Sequence, residues 1–213
     1  MRSSFSWQKF DDIPVIGILR NFPRQQVEML AALYYEAGLT TLEITMNSPE
    51  AAATLATLVK TFSGRLNIGA GTVCTRGDLD CALDAGAGFI VTPILDKGVI
   101  KACLKKKIPV FPGAYTPTEI YKAWSLGASM VKVFPATELG PGYIKEVLAP
   151  LNQLQLLPTG GIGLHNFRDF LRAGAKGVGM GSQLFPRELI GAGRWEELGT
   201  LFSDFVKGFH ASP

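Results

Sequence analysis

Two textures of apolar residue alternate along the chain. Short continuous runs such as Pro14-Val15-Ile16-Gly17-Ile18-Leu19 suit strands buried on both faces. Between them, apolar residues recur at helical spacing, as Val27, Leu30 and Leu33 do after Pro23-Arg24 and before the helix-ending Gly38. After a short leading helix over Ser6–Asp12, the runs at 14–19, 40–45, 66–71, 88–93, 108–111, 129–134, 154–159 and 176–181 are predicted strands. Helices are predicted at 23–37, from Ser48-Pro49-Glu50 to about Gly64, at 79–85, at 98–105, from Pro117, and at 143–148, 166–172 and 195–209.

Eight strand–helix pairs in succession, with short connections, imply a parallel sheet, and eight units can close on themselves. The expectation is an α/β fold: a single (β/α)8 TIM barrel over residues 1–213 with a short N-terminal helix. An open doubly wound sheet, the chief rival, is usually built around a nucleotide fingerprint. Gly69-Ala70-Gly71 supplies only two of its three glycines.

Composition narrows the partners. With 47% hydrophobic and 18% charged residues, the chain suits a compact protein rather than a disordered one. The net charge of +3 is small, and Lys105-Lys106-Lys107 reads as a solvated helix end, so no nucleic-acid surface is expected. No apolar run is long enough to span a bilayer, and Met1–Asp12 lacks the apolar centre of a signal peptide. Cys74, Cys81 and Cys103 are odd in number and lack CxxC spacing, while His165 and His210 are the only histidines. A metal site is therefore not expected, and a cytoplasmic protein with reduced thiols is.

The candidate chemistry begins with two charges inside apolar strands. Lys132 lies in Val131-Lys132-Val133-Phe134, where alternation turns it to the face opposite Val131 and Val133. Its bland reading is an edge-strand lysine in water, since a buried ammonium is costly. Glu43 lies between Leu42 and Ile44, with Thr41 and Thr45 on its own face. A purely structural ion pair is a weak reason to keep both, because buried pairs are often neutral or unfavourable for stability. Inward ionisable groups at the strand ends of such a fold point instead to catalysis. Glycines follow: Pro158-Thr159-Gly160-Gly161 ends the seventh predicted strand and Gly179-Met180-Gly181-Ser182 the eighth. They could serve only tight turns, but two such loops on adjacent strands are where barrels hold phosphate with backbone N–H groups.

In order along the chain, Leu42-Glu43-Ile44-Thr45, Gly69-Ala70-Gly71-Thr72-Val73, Val131-Lys132-Val133-Phe134-Pro135-Ala136, Pro158-Thr159-Gly160-Gly161-Ile162 and Gly181-Ser182 resemble the motifs of the 2-keto-3-deoxy-6-phosphogluconate / 4-hydroxy-2-oxoglutarate aldolases. The resemblance implies a barrel enzyme, usually trimeric, that needs neither metal nor other cofactor. It would release pyruvate from a 2-keto-3-deoxy-6-phospho sugar acid or a hydroxy-oxoglutarate. By resemblance Lys132 is the Schiff-base lysine, Glu43 the general acid/base, Thr72 and Thr159 pocket residues, and Gly160, Gly161, Gly181 and Ser182 the phosphate site.

The sequence departs from the gluconate type at Asn47, where those members carry an arginine for the pyruvyl carboxylate. Asn47 and Ile18-Leu19-Arg20 resemble the galactonate type, while Pro158-Thr159 is more like the gluconate type. Arg20, which closes the first strand, is the expected substitute cation for the keto-acid carboxylate, with Asn47 orienting the substrate. Two rival functions remain at this stage. One is a phosphate-binding barrel isomerase or synthase whose lysine holds phosphate. The other is a non-catalytic barrel that binds a sugar phosphate, which would not need the Glu43–Lys132 pair.

Overall fold

The computed structural model describes residues 4–211, so both extreme ends of the expected domain over 1–213 lie outside the described residues. Along the chain run α1 (Trp7–Asp12), β1 (Val15–Leu19), α2 (Arg24–Glu36), β2 (Thr41–Thr45), α3 (Ala51–Thr61), β3 (Asn67–Gly71), α4 (Arg76–Asp84), β4 (Ile90–Val91) and α5 (Lys97–Lys105). Then come β5 (Val110–Phe111), β6 (Gly113–Ala114), α6 (Pro117–Ser125), β7 (Val131–Val133), α7 (Gly140–Leu148), β8 (Leu156–Pro158), α8 (Phe167–Arg172), β9 (Val178–Met180), α9 (Arg187–Gly191) and α10 (Trp195–His210).

Helix starts follow local chemistry. Thr75 with Asp78, and Thr116 with Glu119, form reciprocal capping boxes at α4 and α6, and Pro117 opens the latter. Such caps contribute about 1 kcal/mol each. The short α9 was not predicted; it lacks a side-chain cap and is too brief to show a helical period.

All strand pairs are parallel. One sheet runs in the order β5-β4-β3-β2-β1-β9 and a second in the order β6-β7-β8. The strand expected at 108–111 therefore continues as two pieces on either side of Pro112. Proline has no N–H to give a ladder, yet its carbonyl still accepts from Lys132 N at 2.9 Å. Past the end of β8, a lone parallel bridge joins Thr159 to Gly179 of β9.

The main core lies between the helices and the outer sheet face. A smaller cluster within the curl of the strands holds Phe10, Ile16, Phe89, Val91, Phe111, Met130 and Leu157. Phe10 of α1 is fully buried there, an amount of burial worth about 1.5–3 kcal/mol. Gly177 makes room for it, since a Cβ at 177 would lie 2.5 Å from the Phe10 ring. Asn67, at the start of β3, exchanges hydrogen bonds with the backbone of Ser6 at 2.7 and 2.9 Å. The amino ends of the strands are thus plugged, and the carboxyl ends are left for chemistry. Among the described residues no helix is long and apolar enough to cross a membrane.

Candidate active site

Two strands deliver the charged pair. In β2 the register sets Glu43 beside Ile18 of β1 and Gly69 of β3. Its face is shared with Thr41 and Thr45, both fully buried, and Glu43 itself is 1% exposed. Gly71, ending β3, gives the carboxylate its space: a Cβ there would meet Glu43 Oε1 at 2.2 Å. In β7, Lys132 pairs in register with Gly113 and Leu157 and is 3% exposed, so it is no edge lysine in water. Its Nζ lies 4.8 Å from the centroid of the Phe134 ring, two residues on along the same face.

Neither tip is tied up. No hydrogen bond or ion pair to Glu43 or Lys132 is formed among the described residues, yet every fully enclosed side-chain polar atom there has a partner. Both tips therefore reach open space. Burial pushes the Lys132 amine below the ordinary lysine range; the Glu43 charge pulls it back up and Arg20 adds to the lowering. Burial pushes Glu43 above the usual carboxylate range, opposed by Lys132 and Arg20. Desolvation thus favours the neutral amine that must attack, and its upward push on Glu43 makes the carboxylate, which the Lys132 and Arg20 charges favour, a stronger base for taking and returning protons.

Next to this pair lies a cavity of about 260 Å³, reached through Ile18, the register partner of Glu43, and Phe134, whose ring meets Lys132 Nζ; Glu43 and Lys132 themselves are not in its lining. Of the residues singled out from the sequence, Arg20, Thr159, Gly160, Gly161, Gly181 and Ser182 line it together. Gly160 and Gly161 have φ of 103° and 68°, a backbone region that side chains rarely adopt, so glycine is required for this turn. Thr159 is buried and donates to Leu157 O at 3.3 Å, and a Cβ at Gly179 would meet its Oγ1 at 2.4 Å.

Four predicted residues stand apart from the lining: Glu43 and Lys132, buried beside it, and Asn47 and Thr72. Asn47 is exposed in the turn after β2. Thr72 is half-buried just past β3, with φ of 57°, unusual for a β-branched residue and the kind of strain that collects at functional sites. The turn carrying Asn47 is nevertheless anchored near Arg20: Ser48 Oγ bonds Thr45 Oγ1 at 2.8 Å and accepts from Asn21 N at 2.9 Å.

Ile18, Phe22, Phe134, Phe185, Gln183 and Arg187 also line the cavity and were not anticipated. Phe134 could have been found, since it shares the Lys132 face by alternation. Arg187 carries no such sign, because only the folding of the loop after β9 aims it.

A parallel α/β fold with a buried amine and carboxylate at one end of its strands can support the Schiff-base chemistry of a carbon–carbon lyase. The family model described as KDPG and KHG aldolase matches residues 8–201, and the chain belongs to that family. It is 36% identical over 200 residues to a 2-dehydro-3-deoxy-phosphogluconate aldolase of Haemophilus influenzae, covering 93% of this chain and 94% of that protein. It is 35% identical over 190 residues to a probable 2-dehydro-3-deoxy-6-phosphogalactonate aldolase of Rhizobium meliloti, covering 88% and 90%. Among solved structures, a KDPG aldolase from Legionella pneumophila with pyruvate captured as a covalent carbinolamine superposes with a TM-score of 0.85. That match has 30% identity and covers 92% of this chain and 96% of the other.

Proposed function

We propose that this chain is a class I aldolase that cleaves a 2-keto-3-deoxy-6-phospho sugar acid to pyruvate and a phosphorylated aldehyde. The neutral amine of Lys132 adds to the C2 ketone, and the carbinolamine loses water to give a protonated imine. Glu43 takes the proton from the C4 hydroxyl, directly or through water. The C3–C4 bond breaks, its electron pair passes into the imine to form an enamine, and the aldehyde leaves. Protonation at C3 and hydrolysis of the imine then return pyruvate and the free amine. Arg20 holds the keto-acid carboxylate and Asn47 orients the substrate beside it. Thr72 and Thr159 flank the substrate, and Gly160, Gly161, Gly181 and Ser182 bind the phosphate.

The observation that carries this reading is the buried, unpaired amine of Lys132 beside Glu43. An ordinary lysine has a pKa near ~10.4, so at pH 7 only about 1 in 2,500 would be neutral. A desolvated amine raises that fraction. Borohydride with pyruvate, followed by mass mapping, should tag the peptide containing Lys132. A tag on Lys176, or on no lysine, sinks the mechanism. Cleavage should also survive prolonged EDTA treatment, because no step needs a divalent ion. A loss restored by zinc or magnesium would show that a metal replaces the imine.

Arg20 supplies a further expectation. It lines the cavity, and its charge acts on both Glu43 and Lys132. Losing a charged hydrogen-bond partner costs roughly 1.5–3 kcal/mol, so Arg20→Ala should lower kcat/KM about ten- to a hundredfold. Pyruvate trapping should weaken with it, while circular dichroism stays native. Trapping with unchanged rate and concentration dependence would remove Arg20 from the carboxylate site.

We infer further that residues 1–213 form one domain whose two sheets close as a single eight-stranded barrel. Support comes from the Thr159–Gly179 bridge and from the interruption of one strand at Pro112. A homotrimer follows from the family resemblance and fits the exposed Ile94, Tyr115 and Tyr121. A cytoplasmic location fits the free thiols of Cys74 and Cys81.

A further inference from the structure

The cavity beside Phe134 has an unbalanced lining: Arg20 and Arg187 contribute two guanidinium groups, and no Asp or Glu joins them. Both face the same small space, because Arg187 Nη2 donates to the backbone carbonyl of Arg20 at 3.0 Å. The Arg187 guanidinium is also laid over the Phe22 ring, its Cζ 5.0 Å from the centroid. These two contacts spread and orient a side chain that otherwise has great rotamer freedom. Neither arginine forms an ion pair among the described residues. Two like charges lining one pocket, with no carboxylate in that lining, favour an anion there.

The two cations are not equivalent. Arg20 acts on both Lys132 and Glu43, whereas Arg187 figures in the electrostatics of neither. Arg187 instead belongs to the segment that follows Ser182 and Gln183, and the lining brings it together with Gly160 and Gly161. Glycine N–H groups carry only partial charge, while a phosphate monoester carries close to two negative charges at neutral pH. A planar guanidinium matches its oxygens as a two-pronged donor.

We propose that Arg187 is the cation of the phosphate end of the pocket and makes this enzyme selective for phosphorylated over unphosphorylated keto acids. The inference rests on the aldolase reading and adds to it a residue that reads the substrate's far end. The Phe22 stack and the bond to the Arg20 carbonyl hold the guanidinium in place before substrate arrives, which lowers the ordering cost of binding.

The test uses wild-type enzyme, Arg187→Gln and Arg187→Lys. Glutamine keeps an N–H donor for the Arg20 carbonyl but carries no charge. Inorganic phosphate, titrated by calorimetry, should bind about ten- to a hundredfold more weakly to Arg187→Gln, with Arg187→Lys in between. The ratio of kcat/KM for 2-keto-3-deoxy-6-phosphogluconate to that for 4-hydroxy-2-oxoglutarate should fall by a similar factor, chiefly through KM. In the wild type, inorganic phosphate should shield Arg187 from modification by phenylglyoxal, read by mass mapping; this arm needs no variant to fold. Unchanged phosphate affinity, equal losses on both substrates, or unshielded modification of Arg187 overturns the proposal. Failure of the aldolase reading itself would look different: no pyruvate adduct at Lys132, with the phosphate measurements intact.

Discussion

Lys132→Met should abolish the borohydride-trapped pyruvate adduct and lower cleavage by about 10⁴–10⁶-fold, the scale of deleting a covalent nucleophile. Among the described residues Lys132 is the only buried lysine. Lys176 sits before β9, at the plugged end of the strands, and pairs with Asp11 at 2.6 Å. Methionine keeps most of the volume of the side chain, so the fold should stay native by circular dichroism. Stability separates a catalytic lysine from half of a structural ion pair. Because burial depresses its pKa, Lys132 binds fewer protons in the folded chain than in the unfolded one as pH drops below 10.5. The folded state therefore loses stability through this group as pH falls from the alkaline range towards neutrality. Removing the amine relieves that cost, and Glu43, already raised by burial, can take up a proton rather than stand as an isolated charge. At pH 7 the melting temperature of Lys132→Met should be no lower than that of the wild type. A drop of many degrees would mark Lys132 as a structural partner, and surviving cleavage would remove it from the chemistry.

What could be read in the chain beforehand divides along physical lines. The strands on either side of Lys132 and Glu43 were legible because a parallel sheet covered on both faces needs unbroken apolar runs, and a charge inside one stands out. Gly160 and Gly161 were legible because positive φ selects glycine. The division of one strand at Pro112 was harder to see, since Pro112 follows Phe111 without a turn of its own. It becomes visible only when its neighbours' hydrogen bonds are traced. Asn47 was singled out by its place after Glu43, yet an exposed turn sets its side chain by local geometry rather than by strand alternation. Arg187 lay hidden for a related reason. An exposed arginine near a short helix is common in any sequence, and its aim depends on Phe22 and Arg20, more than 160 residues away.

Glu43→Gln should separate the two duties of the carboxylate. It should lower kcat for cleavage by about 10²–10⁴-fold, the usual contribution of a positioned acid/base. The amide is nearly isosteric, so the space above Gly71 remains filled and Lys132 keeps its burial. Pyruvate trapping, by contrast, should persist, with its pH dependence moved towards lower pH. The sign follows from the coupling: the negative charge of Glu43 raises the Lys132 pKa, so its removal lets burial and Arg20 lower that pKa further. More of the amine is then neutral at a given pH below its titration, and adduct formation begins in more acidic solution. Carbon–carbon cleavage gains nothing from this, because the amide cannot accept the C4 hydroxyl proton. A profile measured from acid to mildly alkaline pH, with trapping and cleavage followed on the same samples, reads both effects. If the trapping profile stays in place or moves up, Glu43 and Lys132 are not coupled through space as their burial requires. If cleavage keeps its wild-type rate, some other base serves the hydroxyl, and Glu43 only tunes the charge of the lysine.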